Sequence, residues 1–193
     1  MTSVPTDPDT FFDSYVRQSL SRIQGRLAGV SSPGAVVFRV GERDPVALRL
    51  SRGELQVSRD APPDTLVQVT LAEADFDPIL VRGAEALESA SEASDRQLAV
   101  FRALMLDAER AAGIRAVTGS LAVELSGERT HRLVLTPGTR APSAAAECTV
   151  RCALSDFWAM QRGQSNPFEL MMNGKIQISG DAQIVMVLSS LFV

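Results

Sequence analysis

Lysine is almost missing from this chain, and clusters of basic residues are missing altogether. Of its 19 basic residues only Lys175 is lysine, and the arginine bias predicts a bacterial source with a G- and C-rich genome. Acidic residues outnumber basic ones, so that the formal net charge is −4 at pH 7. A nucleic-acid partner needs a basic surface that this sequence does not offer, and we expect no such partner.

Histidine and cysteine are also scarce, which limits metal and redox chemistry. Cys148 and Cys152 are four residues apart, which is not the spacing of a zinc knuckle or a redox pair. Both lie on one face of the strand-like run ECTVRCAL, so we expect two buried, reduced thiols. His131, the single histidine, is predicted to be exposed at the end of a strand. The sequence therefore assigns no catalytic residue, no metal site and no cofactor.

Long hydrophobic runs are the third thing that the sequence lacks. The first ten residues, MTSVPTDPDT, have neither the basic start nor the apolar run of a signal peptide. After Asp181 the chain carries no charge, but this apolar tail is well short of the roughly 20 residues that a spanning helix needs. We therefore expect a cytoplasmic protein with at most transient membrane contact.

The first part of the chain reads as one helix followed by short strands. The stretch TFFDSYVRQSLSRIQGRL is apolar at helical spacing, at Phe12, Tyr15, Val16, Leu20, Ile23 and Leu27. The runs AVVFRV, VALRL and ELQVS follow, separated by Gly, Pro and Asp, which predicts an antiparallel meander. TLVQVTL alternates imperfectly at Leu66 and Val67, and Thr70 with Glu73 resembles a capping box at a helix start.

Residues 84–113 differ in amino-acid composition from the residues before them. The segment AEALESASEA is small and polar, which is typical of a linker. Ser94 and Gln97 then form a capping box. They predict a helix that ends at Gly113 and has one apolar face, formed by Leu98, Phe101, Met105 and Ala108.

Two parts of the chain resemble each other. GAVVFRVGERDPVALRLSRG at 34–53 aligns with GSLAVELSGERTHRLVLTPG at 119–138, and each carries Gly-Glu-Arg between two strands. Further on, VQVTLAEADFDPILVRG aligns with CTVRCALSDFWAMQRG, where a strand leads into a helix that bears Asp-Phe. A duplicated unit of β-meander plus helix explains this similarity better than chance does.

Only the second copy continues into the apolar tail. Asn166, Pro167 and Glu169 mark the start of a short helix, and Ile176 and Ile178 alternate with polar residues in a strand that has one buried face. Asp181 can cap a last helix that is apolar on both sides, with Ile184, Leu188 and Leu191 on one side and Val185, Met186 and Phe192 on the other. Such a helix must be covered all round, by a core layer, a partner or a ligand.

From Ser155 to Leu191 the sequence resembles the C-terminal part of the sterol carrier protein type 2 family. The resemblance rests on the Ser-Asp-Phe helix start, on Asn166-Pro167, and on the module from Gly174-Lys175 to Gly180-Asp181 before an apolar closing helix. The first helix and meander resemble the front half of the same family. We therefore predict two sterol-carrier-like halves, an incomplete one at 11–83 and a fuller one at 114–193, with a linker and an inserted helix at 84–113.

The resemblance implies an α+β fold in which helices cover a mainly antiparallel sheet and an apolar tunnel lies between the layers. Members of the family hold sterols, fatty acids or acyl chains there, without a metal or a catalytic triad. Plain hydrophobic core is the alternative for the residues that the resemblance places in the tunnel wall, which are Phe157, Met160, Phe168, Met171, Met172, Ile184, Leu188 and Phe192. Trp158, the only tryptophan, is predicted to lie at the rim.

Three functions remain open at this point. The first is binding, and transfer within the cell, of a hydrophobic small molecule such as a lipid, a fatty acyl chain or a sterol. The second is an enzyme that isomerises or cyclises a hydrophobic metabolite, which convergent polar groups such as Arg129, His131 or Asp156 inside the cavity would favour. The third is a non-catalytic interaction module that uses the tail or the 94–112 helix and forms a homodimer.

Overall fold

The computed structural model describes residues 4–22, 24–88, 102–142 and 145–191. This part of the chain contains eight strands: β1 (Ala35–Val40), β2 (Val46–Ser51), β3 (Glu54–Ser58), β4 (Thr65–Leu71), β5 (Leu121–Ser126), β6 (Thr130–Pro137), β7 (Cys148–Ala153) and β8 (Gln177–Gly180). They form one sheet in the order β3-β2-β1-β4-β6-β5-β7-β8. β1 pairs in parallel with β4, and β5 with β7, whereas the other neighbours are antiparallel. The predicted α+β fold with a mainly antiparallel sheet is confirmed.

Seven helices stand beside these strands in the described residues. They are α1 (segments Pro8–Thr10, the π-helical Phe11–Tyr15, and Val16–Ser21), α2 (Gln24–Leu27), α3 (segments Glu73–Phe76, the π-helical Asp77–Val81, and Arg82–Glu88), α4 (Ala108–Ala116), α5 (Leu154–Gln161), α6 (Pro167–Met172) and α7 (Ala182–Leu188). Two 3-10 turns accompany them, Arg102–Met105 before α4 and Ser189–Leu191 after α7.

The main core lies between the helices and one face of the sheet. Neighbouring residues of a strand point to opposite faces, and Val36 and Val37 of β1 show the division. Val36 belongs to the main core together with buried side chains of α1, α3, α4 and α7. Val37 packs instead with Ala35 and Ala47 in a small separate cluster. The space between helices and sheet is therefore where an apolar ligand can be enclosed.

The two predicted halves are joined through strand pairing in the middle of the sheet. β4 pairs with β6 in antiparallel register from Val67 opposite Pro137 to Leu71 opposite Leu133. Each half contributes a parallel pair, β1 with β4 and β5 with β7, next to an antiparallel hairpin, β1 with β2 and β5 with β6. The duplication of the unit itself stays a prediction, as do the domain boundaries, of which the one at 113/114 falls within α4.

A β-bulge explains the imperfect alternation of TLVQVTL. Ala35 pairs with Thr65 but Val36 pairs with Val67, so that Leu66 is an extra residue in β4. For this reason Leu66 and Val67 both belong to the main core, although they are adjacent in the strand.

The predicted capping box at Thr70 is wrong. β4 continues through Leu71, and the N-cap of α3 is Ala72, whose side chain cannot accept a hydrogen bond. The hydroxyl of Thr70 is buried in the strand without a hydrogen-bond partner. Strand pairing with β1 and β6 on both sides of β4 outweighs the local capping signal here.

The segment between the halves also differs from its prediction. Residues 84–88, predicted as linker, continue α3 to Glu88. Met105 and Ala108 belong to different elements, because Asp107 caps α4 by accepting a hydrogen bond from the amide of Arg110. Gly113 lies inside α4 and does not end it. Ser94, Gln97, Leu98 and Phe101 lie outside the described residues.

The tail follows its predicted caps but not its predicted burial. Asn166 accepts a hydrogen bond from the amide of Phe168, and Asp181 accepts one from the amide of Gln183, which confirms both helix starts. β8 is exposed along its length, so the predicted buried face is wrong for Ile178, whereas Ile176, just before the strand, is half-buried against the main core. In α7 the stripe of Ile184 and Leu188 is buried, whereas Met186 on the other side is 76% exposed. Val185, assigned by the sequence to the same side as Met186, is half-buried against the core, so among the described residues the last helix is covered on one side and partly on the other.

Candidate ligand cavity

An apolar cavity of about 220 Å³ lies between the sheet and the helices. Its floor is formed by side chains on the helix-facing side of four adjacent strands: Val36 and Phe38 of β1, Leu48 of β2, Val67 and Val69 of β4, and Leu133 and Leu135 of β6. These positions alternate along their strands, as expected for one face of a sheet. The floor crosses the β4–β6 junction, so both predicted halves contribute to the cavity.

One wall of the cavity is aromatic and comes from α1. The ring centroids of Phe11 and Tyr15 are 5.2 Å apart, and that of Phe12 lies 4.9 Å from Phe38 in the floor. Phe76 of α3 closes this cluster behind the wall, with its ring 5.3 Å from Phe11 in an edge-to-face arrangement. Aromatic pairs at these distances stabilise one another, so the wall is held in a defined shape.

The opposite wall is formed where α3 meets α5. A Cβ atom on Gly83 would lie 2.5 Å from Cη2 of Trp158, so only glycine allows the indole to approach the helix this closely. Phe157 packs against Trp158 with a centroid distance of 4.9 Å. Both rings line the cavity, together with Ala84, Ala103, Leu104 and Leu191.

Polar side chains are few in this lining. Tyr15, Ser19, Trp158 and Gln161 carry its polar side-chain groups, and none of the described residues in the lining is Asp, Glu, Lys, Arg or His. This part of the lining therefore suits an uncharged, mostly hydrocarbon molecule, because a charge placed against it would meet no oppositely charged side chain among the described residues.

A known protein family matches the part of the chain that contributes β6, α5 and Leu191 to this cavity. Residues 100–193 match the SCP-2 sterol transfer family. The predicted resemblance to the sterol carrier protein type 2 family is thus confirmed over this range. Residues 11–83, predicted as a first copy, lie outside the match, and their relation to the family stays a prediction. No curated protein matches the chain.

Solved structures similar to this chain include sterol carrier proteins. The crystal structure of sterol carrier protein 2 like 2 from Aedes aegypti is 19% identical, covers 55% of this chain and 94% of its own, and has a TM-score of 0.37. The palmitated form from the same organism has 20% identity, 39% and 73% coverage, and a TM-score of 0.32. The apo protein from Yarrowia lipolytica has 14% identity, 55% and 90% coverage, and a TM-score of 0.34. These overlaps are too loose to carry an argument about the ligand.

Of the wall residues predicted from the SCP-2 resemblance, Phe157 lines the cavity. Met160 is half-buried against the main core, and Ile184 and Leu188 are buried within it, away from the cavity lining. Three side chains of α6 are exposed: Phe168, Met171 and Met172 are 62%, 42% and 73% exposed. Phe192 lies outside the described residues. Contact of these other residues with a ligand stays a prediction.

The sequence interpretation missed most of the residues that shape the cavity. The sequence pattern assigns Phe12 and Tyr15 of α1 only to the apolar stripe of a helix, gives Phe11 no role, and marks Gly83 only as the end of a repeat. A signal was available, because three of the few aromatic residues stand together at positions 11–15. These three residues and Trp158 line the same cavity because β4 pairs with β6, and this pairing cannot be recognised from the local sequence pattern.

His131, which the sequence predicted to be exposed, belongs to a buried ionic cluster. His131 is buried, and its Nδ1 lies 3.0 Å from Oδ1 of Asp75 in α3, to which it donates a hydrogen bond. Nη2 of Arg129 donates to the same oxygen over 2.9 Å, and the amide of Arg132 donates to Oδ2 over 3.2 Å. β6 carries His131 inward because its side chain is on the buried face of a strand that is central in the sheet.

The repeated Gly-Glu-Arg turns both reach the start of α3. Arg43, in the first turn, donates to Oε1 of Glu73 over 2.7 Å, while Arg129 in the second turn binds Asp75. Asp156, the predicted counterpart of Asp75, instead lies 3.5 Å from Nζ of Lys175. Arg129, His131 and Asp156 do not line the cavity, so this placement gives no support to a cavity enzyme built on them.

Both cysteines are buried free thiols, as predicted. Burial raises the pKa of Cys148, and burial together with the charge of Asp156 raises the pKa of Cys152 to about 11. Both therefore remain protonated and poorly nucleophilic near neutral pH.

Metal-binding groups and membrane-spanning helices can be assessed over residues 4–22, 24–88, 102–142 and 145–191. Within those ranges, no group of three or more His, Cys, Asp or Glu side chains is arranged to hold a metal ion. No helix in the same part of the chain combines the length and apolar character needed to cross a membrane.

Proposed function

We propose that this protein binds a hydrophobic small molecule, of lipid or acyl type, in the cavity between its sheet and helices, and carries it within the cytoplasm. The single observation that carries the proposal is the uncharged, aromatic-walled lining, to which the SCP-2-matched residues contribute β6 and α5. Shielding from water is all that such a carrier needs to supply, since each buried methylene contributes about 0.8 kcal/mol.

Non-denaturing mass spectrometry of the purified protein tests this proposal first. We expect a discrete adduct that disappears on organic extraction, and rebinding that changes the fluorescence of Trp158, which lines the cavity. A protein that carries no adduct and takes up no apolar probe would contradict the proposal.

A pair of matched substitutions then locates the site. Ala84→Phe fills the cavity from α3 and should abolish uptake of an apolar probe. Ala112→Phe places the same ring on the exposed side of α4 and should leave uptake unchanged. Equal uptake by the two variants would place the ligand elsewhere, for example along the exposed residues of α6.

Self-association is the second candidate, and a specific observation favours it. Among the described residues, the exposed large hydrophobic side chains all lie near the end of the chain: Phe168, Met171, Met172, Ile178 and Met186. β8, which carries Ile178, is an edge strand, so its outer backbone groups are available to another strand. A second copy of this chain can pair its own β8 there in antiparallel register and cover these side chains.

Light scattering coupled to size-exclusion chromatography, over a range of protein concentrations, tests this second candidate. If β8 forms the interface, Gln177→Lys on that edge should shift the chain toward monomer, because an edge lysine opposes strand pairing. The matched change Gln56→Lys, on the edge strand β3, should have no such effect. A chain that is monomeric at every concentration but binds lipid vesicles would assign the exposed residues to a membrane surface instead.

A further inference from the structure

The helices around the cavity differ in how firmly they are held. α1 buries Phe11, Phe12 and Val16 in the main core, and α3 buries Phe76 and Ile79 there. α5 is described throughout and contains no buried residue. A segment with few buried contacts needs less free energy to move away from the rest of the fold. Of these three helices, α5 is therefore the wall that moves most readily.

Polar contacts show the same difference between α3 and α5. Asp75 anchors α3 to β6 through its buried contact with His131. α5 begins after Ala153, whose side chain cannot cap a helix. The ion pair that α5 makes, 3.5 Å between Asp156 and Lys175, lies at the surface, where such pairs contribute little. Among the described residues, α5 has no buried polar anchor of the kind that holds α3.

Gly83 is the position where α5 closes against α3. A Cβ atom there would lie 2.5 Å from Cη2 and 2.7 Å from Cζ3 of Trp158, two atoms of the six-membered ring of the indole. Both residues line the cavity, so the ring covers the side of the cavity between the two helices. A side chain of any size at position 83 would displace the indole from α3.

The surroundings of the cavity favour this gap over two other paths for a ligand. A path through the floor would break the backbone hydrogen bonds between β4 and β6. A path between α1 and α3 would separate the rings of Phe11 and Phe12 from that of Phe76. α3 and α5, in contrast, meet here through a ring that lies on bare backbone, so they can separate without disturbing the sheet or the aromatic cluster.

We propose that the ligand enters and leaves the cavity between α3 and α5, through an opening that the indole of Trp158 closes when it lies on Gly83. This inference rests on the proposed function and adds the route by which the ligand exchanges. In the closed form the ring shields the bound hydrocarbon from water. Movement of α5 lifts the ring from Gly83 and opens the cavity while the sheet stays intact.

The exchange kinetics of a neutral probe test this route. N-phenyl-1-naphthylamine is uncharged and fluoresces more strongly in apolar surroundings, so stopped-flow mixing gives its association and dissociation rate constants. Gly83→Ala should raise both constants about tenfold, because it destabilises the closed form whether or not the probe is bound. Their ratio, the dissociation constant of the probe, should change by less than about twofold. A residue that only contacts the ligand would alter the dissociation rate constant alone.

Two controls separate the ring contact from a general loosening of the fold. Trp158→Phe removes both atoms that a methyl group at position 83 would meet. In that background, Gly83→Ala should change neither rate constant by more than about twofold. Gly113→Ala in α4, where a Cβ atom meets nothing within 4 Å, should leave both constants at their wild-type values.

Unchanged rate constants in Gly83→Ala, or faster dissociation with unchanged association, would overturn the route. Hydrogen exchange of the unliganded wild-type protein tests the same inference without a variant or a probe. We expect the amides of α5 to exchange faster than those of α1, and exchange as slow as in α1 would overturn the inference. A wild-type protein that takes up no apolar probe would overturn the proposed function, while the exchange comparison would still decide whether α5 opens.

Discussion

Apolar side chains are buried near the start of this chain and exposed near its end. In α1, Phe12 is 1% exposed and its ring packs among three other phenylalanines around the cavity. In α6 and α7, side chains of similar hydrophobicity, such as Met172 and Met186, lie in solvent. The difference follows from where each helix lies relative to the sheet. α1 covers central strands, whereas α6 directly precedes the edge strand β8. Hydrophobicity alone therefore does not tell which end encloses a ligand.

The largest expected effect comes from truncating the buried end. Phe12→Ala should lower the free energy of unfolding by about 3 to 5 kcal/mol, because it removes a core ring and leaves a void. Met172→Ala, at the exposed end, should change it by no more than about 0.5 kcal/mol. Urea denaturation measures both values. Similar losses would mean that the exposed end is covered in solution, and would erase the contrast between the two ends.

Next in size is the buried ionic cluster that connects α3 to β6. Asp75→Asn should cost about 2 to 3 kcal/mol, because Arg129 and His131 lose a charged acceptor in a buried site. Asp77→Asn is the matched control, since this exposed carboxylate lies 3.6 Å from Arg82 in a surface pair and should cost little. Equal midpoints of thermal unfolding for the two variants would show that the cluster does not hold the halves together.

Two glycine substitutions should act in opposite directions. Gly83→Ala forces a methyl group against Trp158 and should cost about 1 to 2 kcal/mol, with a shift of the tryptophan emission maximum. Gly113→Ala meets no atom within 4 Å inside α4 and should stabilise the protein by about 0.5 to 1 kcal/mol. Stabilisation by both changes would mean that α3 and α5 are not in close contact.

The smallest effect belongs to the exposed end. Asn166→Ala removes the side-chain cap of α6 and should cost about 1 kcal/mol. Asn173→Ala, at the other end of the same helix, should cost no more than about 0.5 kcal/mol. Denaturant midpoints provide the comparison, and a larger loss from Asn173 would reverse the assignment of the cap.

Local features of the fold were predictable from the sequence because they depend on neighbouring residues. The runs at β1, β2 and β3 predicted an antiparallel meander, which the register of these strands confirms. The caps at Asn166 and Asp181 rest on residues two positions apart, and they too are confirmed. The SCP-2 resemblance was recognisable because its motif occupies one contiguous stretch.

The cavity was not predictable in the same way, because it depends on pairing between distant strands. β4 and β6 are separated by more than 50 residues in the sequence, and nothing near Val69 or Leu135 indicates that they face each other. His131 was misplaced for the same reason, since a strand end near a turn is exposed unless another element covers it. Trp158 was predicted to lie at a rim. The need for glycine at position 83 was not predictable, because it arises from the contact between α3 and α5.

The β4–β6 pairing in the centre of the sheet also determines what happens when the chain is divided. Cutting it between the halves would leave β6 with a bare edge over Leu133, Val134 and Leu135, an apolar template for aggregation. β4 would be uncovered in the same way. Either fragment would therefore need a new covering for this edge before it could exist alone.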